Sequence, residues 1–271
     1  MNSPRIGHIN FLNVLPLSYG YQHAAQDLNI VYGVPTFLNA KLRDGQIDLS
    51  NISSIEYARQ SDELLILPKI CVRAEGKVTS IILVSRKPIE QIRDDKVILT
   101  SKSATAQRLL KIILHESYDA APHYETRAVK IENPVDEDAT AALFIGDDAL
   151  YIHLHRPPNF YIYDLGEQWH KLTGRQMVYA LWAVRKNFAV AATYKKILRA
   201  FQFGLEHKAD AIKSVLSTKP FTFAELDEYL GTVIKWDLTS EALDALKLYY
   251  HKAAALKLID HEPALAFAEV Q

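Results

Sequence analysis

The stretch Thr100-Ser101-Lys102-Ser103-Ala104-Thr105-Ala106 stands between two runs of different periodicity. Before it, Lys96-Val97-Ile98-Leu99 is short and apolar, the pattern of a buried strand. After it, Leu109, Leu110, Ile112, Ile113 and Leu114 cluster on one side of a 3.6-residue helix. A strand that feeds a hydroxyl-rich turn and then a helix leaves several backbone N–H groups without internal partners. Those donors, with the positive end of the helix macrodipole, make a place for a carboxylate or a phosphate. Ser101, Ser103 and Thr105 add hydroxyls. Ser103 also has the type and position of a helix N-cap, and capping alone accounts for it unless the rest of the chain builds partners for this turn.

Working outward, the same arrangement recurs. Arg5-Ile6-Gly7-His8-Ile9 reads as a strand, followed by Phe11 to Leu17 as a turn opening a short helix, with Pro16 tolerated in the first turn. Residues 29–34 form a strand closed by Pro35, and Phe37, Leu38, Ala40 and Leu42 suit a helix ended by Asp44-Gly45. Ile47-Asp48-Leu49 is a strand running into the polar turn Ser50-Asn51-Ile52-Ser53-Ser54. Ser53 and Glu56 stand three apart, the spacing of a capping box. Residues 64–72 and 78–84 are further strands, the second interrupted by Ser80; a lone polar residue in a strand ordinarily marks an exposed face. Beyond the opening turn, residues 123–129 are a strand, and Ala141 to Ile145 another that ends in Gly146-Asp147. Residues 177–184 return the chain to the first unit. From Asn187 onward the pattern is helical, with a second capping box at Thr222 and Glu225 and an apolar stripe at Leu243, Leu246, Tyr250, Ala253 and Leu256 behind Thr239 as N-cap.

Short strands alternating with helices predict an α/β fold with largely parallel sheets, in which ligands sit at the carboxyl ends of strands. Four such junctions carry polar side chains: Asn10 to Asn13, Ser50 to Ser54, Ser101 to Thr105, and Gly146-Asp147. Two belong to each half of the chain, so a cleft between two lobes would present donors from both walls to a small organic anion. Asn13 and Asp147 have plainer readings too, as a turn former and a helix cap. There is no Walker-type loop and no G-x-G-x-x-G.

Composition narrows the field. A net charge of −1 carries no footprint for nucleic acid or an anionic membrane, and no apolar run approaches the roughly 18 residues of a membrane span. The single cysteine, Cys71, lies in a strand-like apolar run and reads as a buried structural thiol. Met1-Asn2-Ser3-Pro4 brings no apolar signal core, so the expected location is cytoplasmic. His153 and His155 would share a face on a strand, but without a nearby third ligand they make no metal site. No G-x-S-x-G elbow is present, and Trp169, Tyr179 and Trp182 read as core or cleft lining.

Several stretches, in order, resemble one family, the chorismate dehydratases of the futalosine route to menaquinone. They are Arg5 to Leu17, Ile52-Ser53-Ser54-Ile55-Glu56-Tyr57-Ala58, Val78-Thr79-Ser80-Ile81-Ile82-Leu83, Thr100 to Thr105, Ile145-Gly146-Asp147-Asp148-Ala149-Leu150 and Tyr163-Asp164-Leu165-Gly166-Glu167-Gln168-Trp169. Gly174-Arg175-Gln176-Met177, where the family usually has Gly-Leu-Pro-Phe, and Asn51, where Pro is common, depart from it. The resemblance implies a two-lobed fold similar to type II periplasmic binding proteins, with residues 1–89 and 179–271 in the first lobe and 90–178 in the second. It also implies dehydration of the dicarboxylate chorismate to 3-[(1-carboxyvinyl)oxy]benzoate without a metal or organic cofactor. On this reading the candidate substrate-binding residues are Ser53, Ser54, Ser80, Ser101, Ser103, Ala104 and Thr105. Asn13 orients the substrate, and the proton acceptor is either Asp147 or a carboxylate of the substrate itself. Two rivals share the fold: a solute-binding protein that releases its ligand unchanged, and the sibling 1,4-dihydroxy-6-naphthoate synthase. The sibling uses a His near the position of Gly146-Asp147, and this chain has none there. Oligomeric state is not legible.

Overall fold

The structure, a computed structural model, describes residues 4–270. Met1-Asn2-Ser3, the start of the segment read as lacking a signal core, lie outside the described residues. In chain order the first elements are β1 (Arg5–Ile9), α1 (Leu15–Ala24), β2 (Asn29–Gly33), α2 (Pro35–Arg43), β3 (Leu49–Ser53), α3 (Ser54–Arg59) and β4 (Leu64–Ala74). Next come β5 (Ile81–Ser85), β6 (Lys96–Thr100), α4 (Ala104–Tyr118), β7 (His123–Arg127), β8 (Ala141–Ile145), α5 (Gly146–His155), β9 (Tyr161–Asp164) and α6 (Leu165–Thr173). The chain closes with β10 (Met177–Arg185), α7 (Ala191–Glu206), α8 (Lys208–Val215), α9 (Phe223–Glu228), β11 (Ile234–Asp237) and α10 (Ser240–Ala255).

These elements form two compact units. The first holds the chain up to Val72, Ala180–Thr239 and the chain from Pro263 on. Its six-stranded sheet has the order β11-β4-β10-β3-β1-β2. β1 runs parallel to β2 and β3, joined by the crossover helices α1 and α2, and β10 lies antiparallel to β3. Parallel strands covered on both faces account for the near-continuous apolar runs, with Ile6 of β1 and Leu49 and Ile52 of β3 fully buried. α1 and α7 cross where each carries a glycine. A Cβ on Gly20 would stand 1.8 Å from the Ala200 carbonyl oxygen, and one on Gly204 would stand 1.7 Å from that of Pro16.

The second unit holds Arg73–Tyr179 and Ser240–Glu262. Its sheet has the order β7-β6-β8-β5-β9, with β6 parallel to β7 and β8, and β5 antiparallel to β8 and β9. Ile82, Val84, Ile98, Phe144 and Ile152 make its core.

Several sequence-based expectations change here. The strand read over residues 78–84 was expected with residues 1–89, but the strand that forms, β5, pairs with β8 and β9 in the second sheet, so the packing boundary falls at Val72. α10 was expected in the first lobe and packs in the second unit, where the Tyr249 hydroxyl donates to the Thr105 carbonyl at 3.1 Å. Ser50 to Ser53, read as a polar turn, is the body of β3, since β1 and β10 supply a ladder partner on either side. The helical reading after Asn187 missed β11, a four-residue strand too short to show a period. His153 and His155 lie on α5, where residues two apart do not share a face. Trp169 and Trp182 are fully buried, as expected of core residues, and Cys71 is buried, its thiol donating to the Asp237 carbonyl at 3.4 Å.

Candidate active site

In the second unit, strand directions collect three helix starts at one sheet edge. β6 and β8 end at Thr100 and Ile145, β9 ends at Asp164, and the antiparallel β5 begins beside them, with Ile81 opposite Ile145. Ser103 caps α4, its hydroxyl accepting from Ala106 N–H at 3.2 Å. Ser101 is exposed, while Ser103, Ala104 and Thr105 are buried at the helix start. Lys102 Nζ pairs at 2.9 Å with Asp148 in the first turn of α5, tying two of the helix starts together. Gly146 makes the turn into α5 at φ +67°, a conformation costly for any residue with a Cβ, and its N–H donates to the Ser80 carbonyl at 2.8 Å. Asp147 follows it, half-buried in the first turn of α5.

Ser80 is buried, and an acid holds the chain in front of it. Thr79 stands at φ +59°, the left-handed region that a β-branched residue rarely enters. Strain of this kind costs on the order of 1–3 kcal/mol and persists only where the surroundings impose it. The Asp164 carboxylate imposes it here, accepting from Thr79 N–H at 2.6 Å and from Val78 N–H at 3.1 Å, besides capping α6 through Gly166 N–H at 2.9 Å and Glu167 N–H at 3.0 Å. Burial raises the Asp164 carboxyl above the usual carboxylate range, and these N–H donors oppose the rise. Asp164 was quoted from the sequence without a role; an acid directly before the helical run of α6 is the cap signal that would have found it.

In the first unit, β1 and β3 deliver Asn13, Ser53 and Ser54. β1 ends beside Gly33 of β2, and Asn10 N–H donates to the Gly33 carbonyl at 3.0 Å. Asn51 Oδ1, fully buried in β3, accepts from Ile9 N–H at 2.9 Å and so holds the last residue of β1. Asn13 follows in a single 3-10 turn, Leu12–Val14. Its backbone carbonyl accepts from the Trp236 indole N–H at 2.8 Å, whereas its side-chain oxygen is buried and accepts from nothing. Ser53 Oγ accepts from Asn39 Nδ2 at 2.9 Å, which leaves the hydroxyl proton to donate; Ser54, fully buried, starts α3. The capping box expected of Ser53 and Glu56 does not form. The buried Glu56 carboxylate turns instead to Arg43 at 3.0 Å and Gln60 at 2.6 Å, charged and amide partners that outcompete a backbone N–H. The other expected box, at Thr222 and Glu225, is present on both sides.

His8, on β1, has a pH consequence. Ser18 Oγ donates to the Val14 carbonyl at 3.3 Å and therefore accepts from His8 Nε2–H at 2.7 Å, leaving Nδ1 a bare, buried acceptor between Tyr21 and Tyr32. Burial pushes the imidazole down from 6.5 to about 3. The unfolded chain takes this proton near pH 6.5 and the folded chain only near 3, so stability is full above 6.5 and falls with pH, by about 2 kcal/mol at pH 5. Urea titrations of wild type and His8→Gln between pH 7 and pH 5 should show the variant with the flatter profile; parallel profiles would clear His8 of the effect.

Among the described residues, no three His, Cys, Asp or Glu side chains gather as a metal site, and no helix is long and apolar enough to cross a membrane. Comparison with solved structures supports the fold. A structural-genomics protein from Archaeoglobus fulgidus superposes with TM-score 0.77 at 18% identity, covering 95% of this chain and 98% of that one. The periplasmic aliphatic sulphonate binding protein of Escherichia coli gives 0.68 at 14% identity, over 98% and 91%. The fold is thus the α/β fold of type II periplasmic binding proteins, as expected. A chorismate dehydratase of Thermus thermophilus is 30% identical over 196 residues, 67% of this chain and 70% of its own length. One from Campylobacter jejuni is 28% identical over 263 residues, 93% of this chain and 98% of its own length. A family model described as menaquinone biosynthesis matches residues 4–255, and the chain belongs to that family.

Proposed function

We propose that the protein dehydrates chorismate to 3-[(1-carboxyvinyl)oxy]benzoate, a hydro-lyase step in the futalosine route to menaquinone, carried out in the cytoplasm. The observation that carries this reading is the buried, unpartnered side-chain oxygen of Asn13 at the carboxyl end of β1. A buried acceptor left without a donor costs about 1–3 kcal/mol, and it is retained where a ligand supplies the donor. Chorismate brings a hydroxyl and two carboxylates. Asn13 accepts from the hydroxyl and orients it. In the second unit Ser101, Ser103, Thr105 and the Ala104 N–H are the candidates for a carboxylate, with Ser80 where α4 and α5 begin; in the first unit Ser53 and Ser54 are the candidates. Relatives named chorismate dehydratase that match over most of the chain support the same reading.

Loss of the hydroxyl and a ring proton leaves an aromatic ring, so the equilibrium lies far toward product. What remains for the protein is orientation, exclusion of water and a place for the proton. That place is Asp147 or the substrate's own carboxylate, and Asp147→Asn separates them. A turnover loss of about 100-fold or more assigns the proton to Asp147, and retention within about threefold assigns it to the substrate. The reaction itself is tested by incubating purified protein with chorismate and following the aromatic product by chromatography and mass. Chorismate bound and returned intact would make the protein a solute binder and end the proposal.

A further inference from the structure

We infer that Trp236 is a positioning residue for the reaction, setting the Asn13 side chain through the Asn13 backbone; this rests on the reading of Asn13 given above. The two residues lie 223 positions apart, yet the indole N–H donates to the Asn13 carbonyl at 2.8 Å. An indole N–H is a donor only, and among the described residues this carbonyl is its acceptor. The receiving turn is a single 3-10 turn of three residues with no side-chain cap at its start, closed by backbone bonds such as Val14 N–H to the Phe11 carbonyl at 3.2 Å. The backbone before it is already held, because Asn51 Oδ1 accepts from Ile9 N–H. Trp236 supplies the hold at the far end.

The donor is itself well placed to be rigid. It sits on β11, beside β4 in the sheet, and its ring meets Phe201 edge-on at 5.7 Å. β11 is entered through a π-helical turn, Tyr229–Val233, a rare local geometry that recurs at functional sites. With the carbonyl of Asn13 fixed, its side-chain oxygen stays in its buried, unpartnered setting instead of turning to find water. A displacement of about 1 Å at an orienting group can cost on the order of 100-fold in rate. Loss of one hold among several should cost less, about tenfold.

The informative variant is Trp236→Phe. A cavity of about 250 Å³, lined by Phe201, Leu205, Gly231 and Trp236 among others, already lies against the indole, and truncation to Ala would enlarge it. Phe keeps most of the packing and removes the N–H. The expected result is kcat lowered about tenfold with KM within about twofold. The same substitution on an Asn13→Ala background should cause no further loss, since its effect passes through Asn13. In parallel, the Asn13 side-chain amide cross-peak in a ¹⁵N spectrum, assigned by its disappearance in Asn13→Ala, should shift in Trp236→Phe. Unchanged kcat, an equal loss on the Asn13→Ala background, or an unmoved cross-peak would each overturn the inference. If Trp236→Phe does not fold, benzothienylalanine incorporated at position 236 keeps the shape of the indole and deletes only the N–H, and the same readings apply. Wild-type protein inert toward chorismate would defeat the proposed reaction, while the cross-peak would still decide whether Trp236 sets Asn13.

Discussion

Asn13→Ala should lower chorismate turnover by about 100- to 1,000-fold and leave the folded protein as stable as wild type or slightly more so. The two halves of that expectation have one cause. Asn13 Oδ1 is buried and accepts no hydrogen bond. In the free protein an unsatisfied acceptor of this kind costs about 1–3 kcal/mol, and deleting it removes that cost. Once substrate is bound, the same oxygen is an oriented acceptor out of water, and losing one such preorganised group costs about 10²–10³ in kcat. Steady-state kinetics with thermal unfolding on the same preparation checks both. A variant that turned over within about tenfold of wild type, or that melted well below it, would make Asn13 a structural turn residue. Asn13→Asp has the opposite signature: a fixed negative charge facing a dicarboxylate raises KM by like-charge repulsion before it affects the chemical step.

The largest effect on stability is expected from Gly204→Ala. A Cβ there would stand 1.7 Å from the Pro16 carbonyl oxygen and 3.1 Å from its Cα, and the same crossing seen from Gly20 puts a Cβ 1.8 Å from the Ala200 oxygen. Backbone atoms cannot swing aside as a side chain does, so α1 and α7 must move apart. α1 buries Leu15, Leu17 and Tyr21, and α7 buries Tyr194 and Ile197. Separation loosens all five. Overpacking of a side chain costs about 1–3 kcal/mol and a clash against backbone more, so the expected loss is about 3 kcal/mol or greater. At this chain length that corresponds to a fall in Tm of roughly 6–12 °C. Gly20→Ala should cost a similar amount, and the double variant less than the sum, because the first methyl already opens the gap the second needs. Urea unfolding of the two single variants and the double is the measurement, and a cost below about 1 kcal/mol for Gly204→Ala would mean that the helices can separate freely.

What the sequence made legible divides along physical lines. Features decided within a few residues were readable: the Ser103 cap, the box at Thr222 and Glu225, and the strand–turn–helix order around Thr100. Features decided by distant partners were not. Ser53 and Glu56 have the spacing of a capping box, but Arg43 and Gln60 approach Glu56 through the fold and take its carboxylate. Ser50 to Ser53 has the composition of a turn and becomes strand because β1 and β10 flank it. The candidate site follows the same rule. Type and place alone made Asn13 a turn former, Asp147 a helix cap and Ser80 an exposed strand residue; the family resemblance made them candidates, and Ser80 is in fact buried. Neither the unpartnered state of Asn13 Oδ1 nor the contact from Trp236 leaves any local trace, and the strain at Thr79 is visible only in its backbone angle.

α10 follows residues of the first unit in the chain but packs in the second, where its Tyr249 hydroxyl closes on the Thr105 carbonyl. Synthesis on the ribosome proceeds from the N-terminus, so the hydroxyl-rich turn emerges early and waits for a support made more than a hundred residues later. Until α10 has been translated, that corner of the protein lacks a wall, and nascent chains stalled before Ser240 should leave it open to proteases.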